Sequence, residues 1–263
     1  MIEFIHTLNV AYVLSGFVVG VLVGLTGIGG GSLMTPLLIL VFGVPPATAV
    51  GTDLLYAAIT KSGGALFHGV ARSVDWRVVG RLAAGSLPMT TLTLLLLSKV
   101  DRHGTAAGEL IRIMLSIALF LTVAVLIFRK YILEYYAARV AVLNDRRTAV
   151  CTIVMGAVIG ILVSISSVGA GAIGAMGLVL LYPRMPMARI VGSDIAHAVP
   201  LTLVAGIGHW WLGSTDWHLL ASLLVGSLPG IFLGSYFCSR VTDGALRMIL
   251  AVTLTVVAVR LLL

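Results

Sequence analysis

The chain has 263 residues, of which 59% are hydrophobic and only 10% charged, with a mean hydropathy of +1.12 and a formal net charge of +7. Soluble domains carry roughly 45–50% apolar and 25% charged residues, so this chain cannot cover a water-facing surface and is read as an integral membrane protein. Its basic balance fits cytoplasmic loops rather than nucleic-acid binding. Cys151 and Cys238 lie in apolar segments without metal or redox spacing, so no metal and no cofactor is expected.

The N-terminal stretch Met1–Asn9 contains no Lys or Arg, which argues against a cleaved signal peptide. From Thr7 to Thr52 there are 46 residues without a formal charge. The apolar runs are continuous rather than alternating, so helices are expected and not a barrel. One helix of that length would measure roughly 69 Å, about twice the hydrocarbon thickness. The chain must therefore break, and "GLTGIGGGSLMTP" (Gly24 to Pro36) marks where, with five glycines that a helix interior disfavours. Gly27, Gly29, Gly30 and Gly31 let the backbone unwind. Ser32 is placed to cap the helix that follows, with Pro36 near its start. Five helical segments are predicted in this half: 8–25, 29–42, 46–67, 76–98 and 109–128.

The next stretch, 129–147, mixes aromatic and basic residues; it reads either as an interfacial amphipathic helix or as a connector between repeats, and the connector role is favoured whatever its fold. Five more segments follow, at 148–165, 169–182, 187–210, 217–238 and 244–262. "SISSVGAGAIG" (Ser164 to Gly174) interrupts them as the first glycine cluster does. Gly51–Pro88 aligns without gaps to Gly192–Pro229, with 12 of 38 positions identical, among them Asp53/Asp194, His68/His209, Asp75/Asp216, Trp76/Trp217 and "GSLP". Shared hydrophobicity alone does not place Asp, His and Trp in register. The organisation is thus a first repeat at 1–128, a linker at 129–147 and a second repeat at 148–263.

An odd number of segments per half gives the repeats opposite senses in the bilayer. With the linker inside, twelve loop Lys and Arg fall on its side and four (Lys99, Arg102, Arg112, Arg260) on the other. That satisfies the positive-inside rule with both termini outside. Segments 29–42 and 169–182 are short for a crossing, so ten crossings and eight crossings plus two re-entrant hairpins both remain open.

Inverted repeats with broken helices are the pattern of secondary transporters, whose half-helix N-termini present N–H groups and positive dipole ends to an anion. The candidate substrate site comprises Thr26, Gly27, Gly29, Gly30, Gly31 and Ser32 at the first break. Ser166, Ser167, Gly169 and Gly171 belong to the second, with Thr52, Ser193 and Lys61 beside them. Charges within the membrane are costly, which singles out Asp53, Asp194 and Lys61. Asp53 and Asp194 either carry protons or cap backbone N–H groups, and His197, three residues after Asp194, is a further proton-coupling candidate. Lys61 either attracts an anion or forms a structural ion pair. The chain has neither HExxH nor a GxGD pair, and an enzyme is not expected.

The glycine-rich break, with "VGTDLLYAAITKSGGALFHGVARSVDW" and its echo "VGSDIAHAVPLTLVAGIGHWWLGSTDW", resembles the TauE/SafE family of sulfite and organosulfonate exporters over nearly the whole chain. The resemblance implies a multi-pass transporter of the bacterial cytoplasmic membrane. It implies export of a small sulfur-containing anion such as sulfite or sulfoacetate, coupled to protons, with protons, the anion and lipid as partners and a homo-oligomer compatible with it. Family members often have a hydroxyl residue where Asp53 and Asp194 stand. That departure leaves open a cation or neutral-solute transporter using both aspartates as ligands, or an anion channel.

Overall fold

The computed structural model describes residues 9–26, 31–67, 74–99, 105–137, 144–169, 171–237 and 243–262. Among these residues it is all-helical, as the continuous apolar runs require. The first half holds α1 (Val10–Thr26), α2 (Gly31–Leu40), α3 (Pro46–Phe67), α4 (Trp76–Leu97) and α5 (Thr105–Ala137). The second holds α6 (Asp145–Ser166), α7 (Ala172–Leu181), α8 (Met187–Trp211), α9 (Trp217–Phe237) and α10 (Asp243–Leu262). Five helices have described stretches long and apolar enough to cross a bilayer. By contrast α2 and α7, at ten residues each, reach only about 15 Å, half the hydrocarbon thickness.

The polarity runs opposite to that of a water-soluble protein. Leu96, Ile117, Val158, Phe232 and Val256 are exposed, while Thr35, Asp53, Ser86, Thr152, Ser193 and His197 are buried. Lipid is the solvent such a surface suits, and the polar groups face one another inside.

Packing between the halves is reciprocal. The longest interface of α1 is with α9 and that of α6 is with α4; α3 packs on α8, and α5 on α10. Glycines permit the closest approaches. A Cβ on Gly85 of α4 would strike the Ile153 carbonyl of α6, and one on Gly226 of α9 would strike the Val13 carbonyl of α1. Gly156 meets Leu82 as Gly16 meets Leu223. Small residues that let helix backbones touch are the usual means of association in lipid, and here the same means is used twice at matching positions.

Two sequence expectations shift. First, α5 begins at Thr105 and continues to Ala137, so nine residues assigned to the linker are helical. Arg112 lies within this helix, as the predicted segment 109–128 has it, and its Nη2 donates to the Leu261 carbonyl at 2.9 Å. A cation on the last turn of α10 is favourable there. Second, Pro36 is the sixth residue of α2, not part of its first turn. It leaves the carbonyl four residues earlier without an intrahelical donor. The Asp-Trp pairs open helices, where the predicted segments at 76–98 and 217–238 begin. The Asp75 side chain accepts from the Arg77 and Val78 amides at the start of α4, and Asp216 Oδ1 accepts from Leu219 N at the start of α9. Trp76, Trp210 and Trp217 are exposed beside these caps, where an amphipathic ring suits a membrane interface.

Candidate functional site

The second break is built by local backbone geometry. α6 ends at Ser167, which is left-handed (φ 59°), and Gly169 has φ 123°, a region that glycine alone enters cheaply. Ser166 Oγ donates to the Leu162 carbonyl at 2.7 Å and accepts from Val168 N at 3.2 Å, holding the turn. Gly171 then caps α7. At the first break Gly27, Gly29 and Gly30 lie outside the described residues. Thr26 ends α1, and Gly31 and Ser32 open α2.

Asp53 on α3 and Asp194 on α8 are both buried. Thr35 of α2 donates to Asp53 Oδ2 at 2.5 Å, and the Ser167 hydroxyl faces the same carboxylate. The Oδ1 atom of Asp194 occupies the space that a Cβ on Gly174 of α7 would need. Neither Asp53 Oδ1 nor Asp194 Oδ1 has a hydrogen-bond partner among the described residues. Lys61, two turns beyond Asp53 on α3, is within electrostatic range of both carboxylates, more strongly that of Asp194, and of His197. Each aspartate thus leans on the short helix of its own half, and one cation is shared between them. In low dielectric an unpaired carboxylate is strongly disfavoured, so the arrangement depends on Lys61, on the hydroxyls and on the helix ends.

The remaining candidates pair across the halves. Thr52 Oγ1 accepts from Asp216 N at 3.1 Å, and Ser193 Oγ accepts from Asp75 N at 2.9 Å. Both hydroxyls are therefore engaged with the opening of a helix in the other half. His197 Nε2 lies 2.8 Å from Ser86 Oγ, so its hydrogen-bonding partner is Ser86 and not Asp194. Its repeat equivalent, Tyr56, faces Ser227, the equivalent of Ser86. His209 Nε2 meets the Ser164 carbonyl at 2.8 Å, satisfying a group at the end of α6.

Sequence reasoning missed Thr35 and Gly174, although both lie within the glycine-rich stretches it singled out. It also missed Ser86 and Ser227, which were visible as the repeated "GSLP" but carried no chemistry until their partners were known.

A chain with crossing helices, paired breaks and three charges gathered between them belongs to the membrane transporters. The family described as "Sulfite exporter TauE/SafE" matches residues 12–261, and the chain belongs to that family. It is 37% identical over 258 residues to a probable membrane transporter protein, YjnA, of Bacillus subtilis, covering 97% of this chain and all of the relative. A second Bacillus subtilis protein of the same description, YdhB, is 26% identical over 94% of this chain and 97% of its own length. The probable membrane transporter protein MJ0441 of Methanocaldococcus jannaschii is 22% identical over 95% and 94%. No solved structure matches the chain.

Proposed function

We propose that this chain is a secondary transporter that exports a small sulfur-containing anion, sulfite or an organosulfonate such as sulfoacetate, across the bacterial cytoplasmic membrane. One observation carries the reading: Asp53 and Asp194 are buried against the short helices α2 and α7, at Thr35 and Gly174, and Lys61 lies within electrostatic range of both. Helix N-termini and a lysine attract an anion, and the carboxylates take up protons so that substrate and proton movement are linked. The family's description as sulfite exporters supports the choice of substrate. The reciprocal packing of α1 on α9 and α6 on α4 supports alternating access by two inverted repeats, with the linker cytoplasmic and the termini outside.

A second reading has a specific observation in its favour. Two buried carboxylate oxygens without hydrogen-bond partners among the described residues also suit a cation ligand set. Purified protein in liposomes separates the two. Sulfite or sulfoacetate flux that saturates and responds to an imposed pH gradient is the expected result. Flux that does not saturate would identify a channel, and cation flux without anion flux would replace the anion reading.

A further inference from the structure

The two halves differ at the one place where a substrate anion would dock. At the second break Gly174 is the third residue of α7, and the space beside its Cα is taken by Asp194 Oδ1. At the matching point of the first break, 140 residues earlier, stands Met34, fully buried in the apolar core. A methionine fills the first-half position, whereas a carboxylate fills the second. The first N–H groups of a helix have no partner within it and carry its positive end; in α7 the Gly174 amide is taken by the Gly169 carbonyl at 3.2 Å, so the amides of Ala172 and Ile173 are the ones that favour a negative oxygen. Asp194 supplies one from a different helix, and supplies it badly. It is only 4% exposed, and among the described residues its Oδ1 has no hydrogen-bond partner and no side-chain hydroxyl bonds it as Thr35 bonds Asp53. Lys61 is drawn more strongly to it than to Asp53.

We propose that Asp194 is a tethered occupant of the anion site, its carboxylate resting at the start of α7 beside Lys61 where the oxygens of the transported oxyanion bind, so that substrate must displace it. Resting on the anion-transport reading above, this goes further by placing the site in the second half alone. It also makes the ligand a compact oxyanion with at least two oxygens on one centre, the feature that a carboxylate can imitate. Among the described residues the charged group whose field reaches Asp194 is Lys61 of α3, and Asp53 of α3 and His197 of α8 are linked to Lys61 in turn. Without the tether, Lys61 and the helix end would be available to the substrate from the outset.

A purely structural Asp194, tying α8 to α7, makes the opposite forecast. Calorimetric titration of the purified full chain with sulfite, with chloride as control, distinguishes them in wild type, Asp194→Asn and Asp53→Asn. Asp194→Asn keeps the shape and removes the charge, and is expected to bind sulfite about tenfold tighter or more, the scale of one nearby charge at intermediate dielectric. Asp53→Asn is expected to gain less, although simple removal of a negative charge near Lys61 would make the two equal. Equal gains, or unchanged or weaker binding by Asp194→Asn, would overturn the tethered-occupant assignment while wild-type binding left anion transport standing. If neither wild type nor the variant binds sulfite, sulfate or sulfoacetate, both readings fall together. Should Asp194→Asn lose its cooperative melting transition, Asp194→Ser is read by the same criteria.

Discussion

The two halves agree where they hold each other and differ where they carry charge. Gly85 and Gly226, Ser86 and Ser227, Asp75 and Asp216, and Thr52 and Ser193 are matched in position and make matched contacts across the halves. Against that uniform frame, Lys61 corresponds to Thr202, Tyr56 to His197, and Met34 to Gly174. The ends differ as well. Tyr12 and Phe42 form an edge-on aromatic pair with centroids 4.7 Å apart. Their equivalents Thr152 and Tyr182 hydrogen-bond at 2.9 Å, and Tyr182 also accepts from Arg81, which pairs with Asp145. The matched residues provide a scaffold that is indifferent to direction. The mismatched ones make the two halves chemically different, so the symmetry of the frame does not extend to its charges.

The largest expected effect tests the shared frame. Gly85→Leu or Gly226→Leu drives a side chain into the carbonyl of a facing helix, at Ile153 or Val13. Overpacking a tight contact typically costs 1–3 kcal/mol, and more where backbone must move (~3 kcal/mol or above is expected at these two positions). Both variants should be lost to aggregation on size-exclusion chromatography, and to the same degree. Gly80→Leu, where an added side chain meets open space, should elute as the wild type does. Loss of only one of the Gly85 and Gly226 variants would show that the halves do not depend on each other equally.

How much of this frame could be read from sequence follows from the same residues. Helix breaks, repeat register and the isolated charges are properties of the chain's own order, and "GLTGIGGGSLMTP" and "VGTD/VGSD" display them directly. Which half a residue serves is a property of packing. Nothing near Thr52 announces that its hydroxyl will accept from Asp216, 164 positions away, or that His197, three residues from Asp194, will bond Ser86 instead. The predicted start of α5 at 109 falls four residues late, and Arg112 is counted with the loop charges although the predicted segment contains it. The carbonyl of Leu261 on another helix is what makes Arg112 acceptable within α5.

A middle-sized effect tests the asymmetry of charge. A hydrogen bond to a charged group contributes about 1.5–3 kcal/mol, so losing a lysine contact to the anion in Lys61→Met should slow sulfite flux in liposomes by about 10- to 100-fold. The variant should still elute as folded protein, because the reciprocal contacts of α1 with α9 and α6 with α4 do not involve Lys61. Moving the lysine to its repeat equivalent, in Lys61→Thr/Thr202→Lys, sharpens the comparison. If the halves were interchangeable the swap would restore flux. With Met34 filling the first-half position, flux should stay low. A restored rate would mean that either break can serve.

The smallest effect separates holding from binding at two residues the sequence places in the substrate site. Thr52 and Ser193 each accept one backbone N–H at the opening of a helix in the other half. Thr52→Val and Ser193→Ala each leave that donor unpaired, at a cost of about 1–3 kcal/mol where it is shielded from solvent. A protein of this length typically loses roughly 2–4 °C in Tm per kcal/mol, so each variant should melt several degrees lower. The two shifts should match, because the bonds are repeat equivalents made with the same geometry. The concentration of sulfite giving half-maximal flux should not move in either, since these hydroxyls are already engaged with Asp216 and Asp75. A tenfold change in that concentration with Tm unaltered would instead make Thr52 and Ser193 ligands of the anion. A matched loss of stability with unchanged substrate affinity would assign both to the frame, leaving recognition to the mismatched positions around Lys61, Asp194 and Gly174.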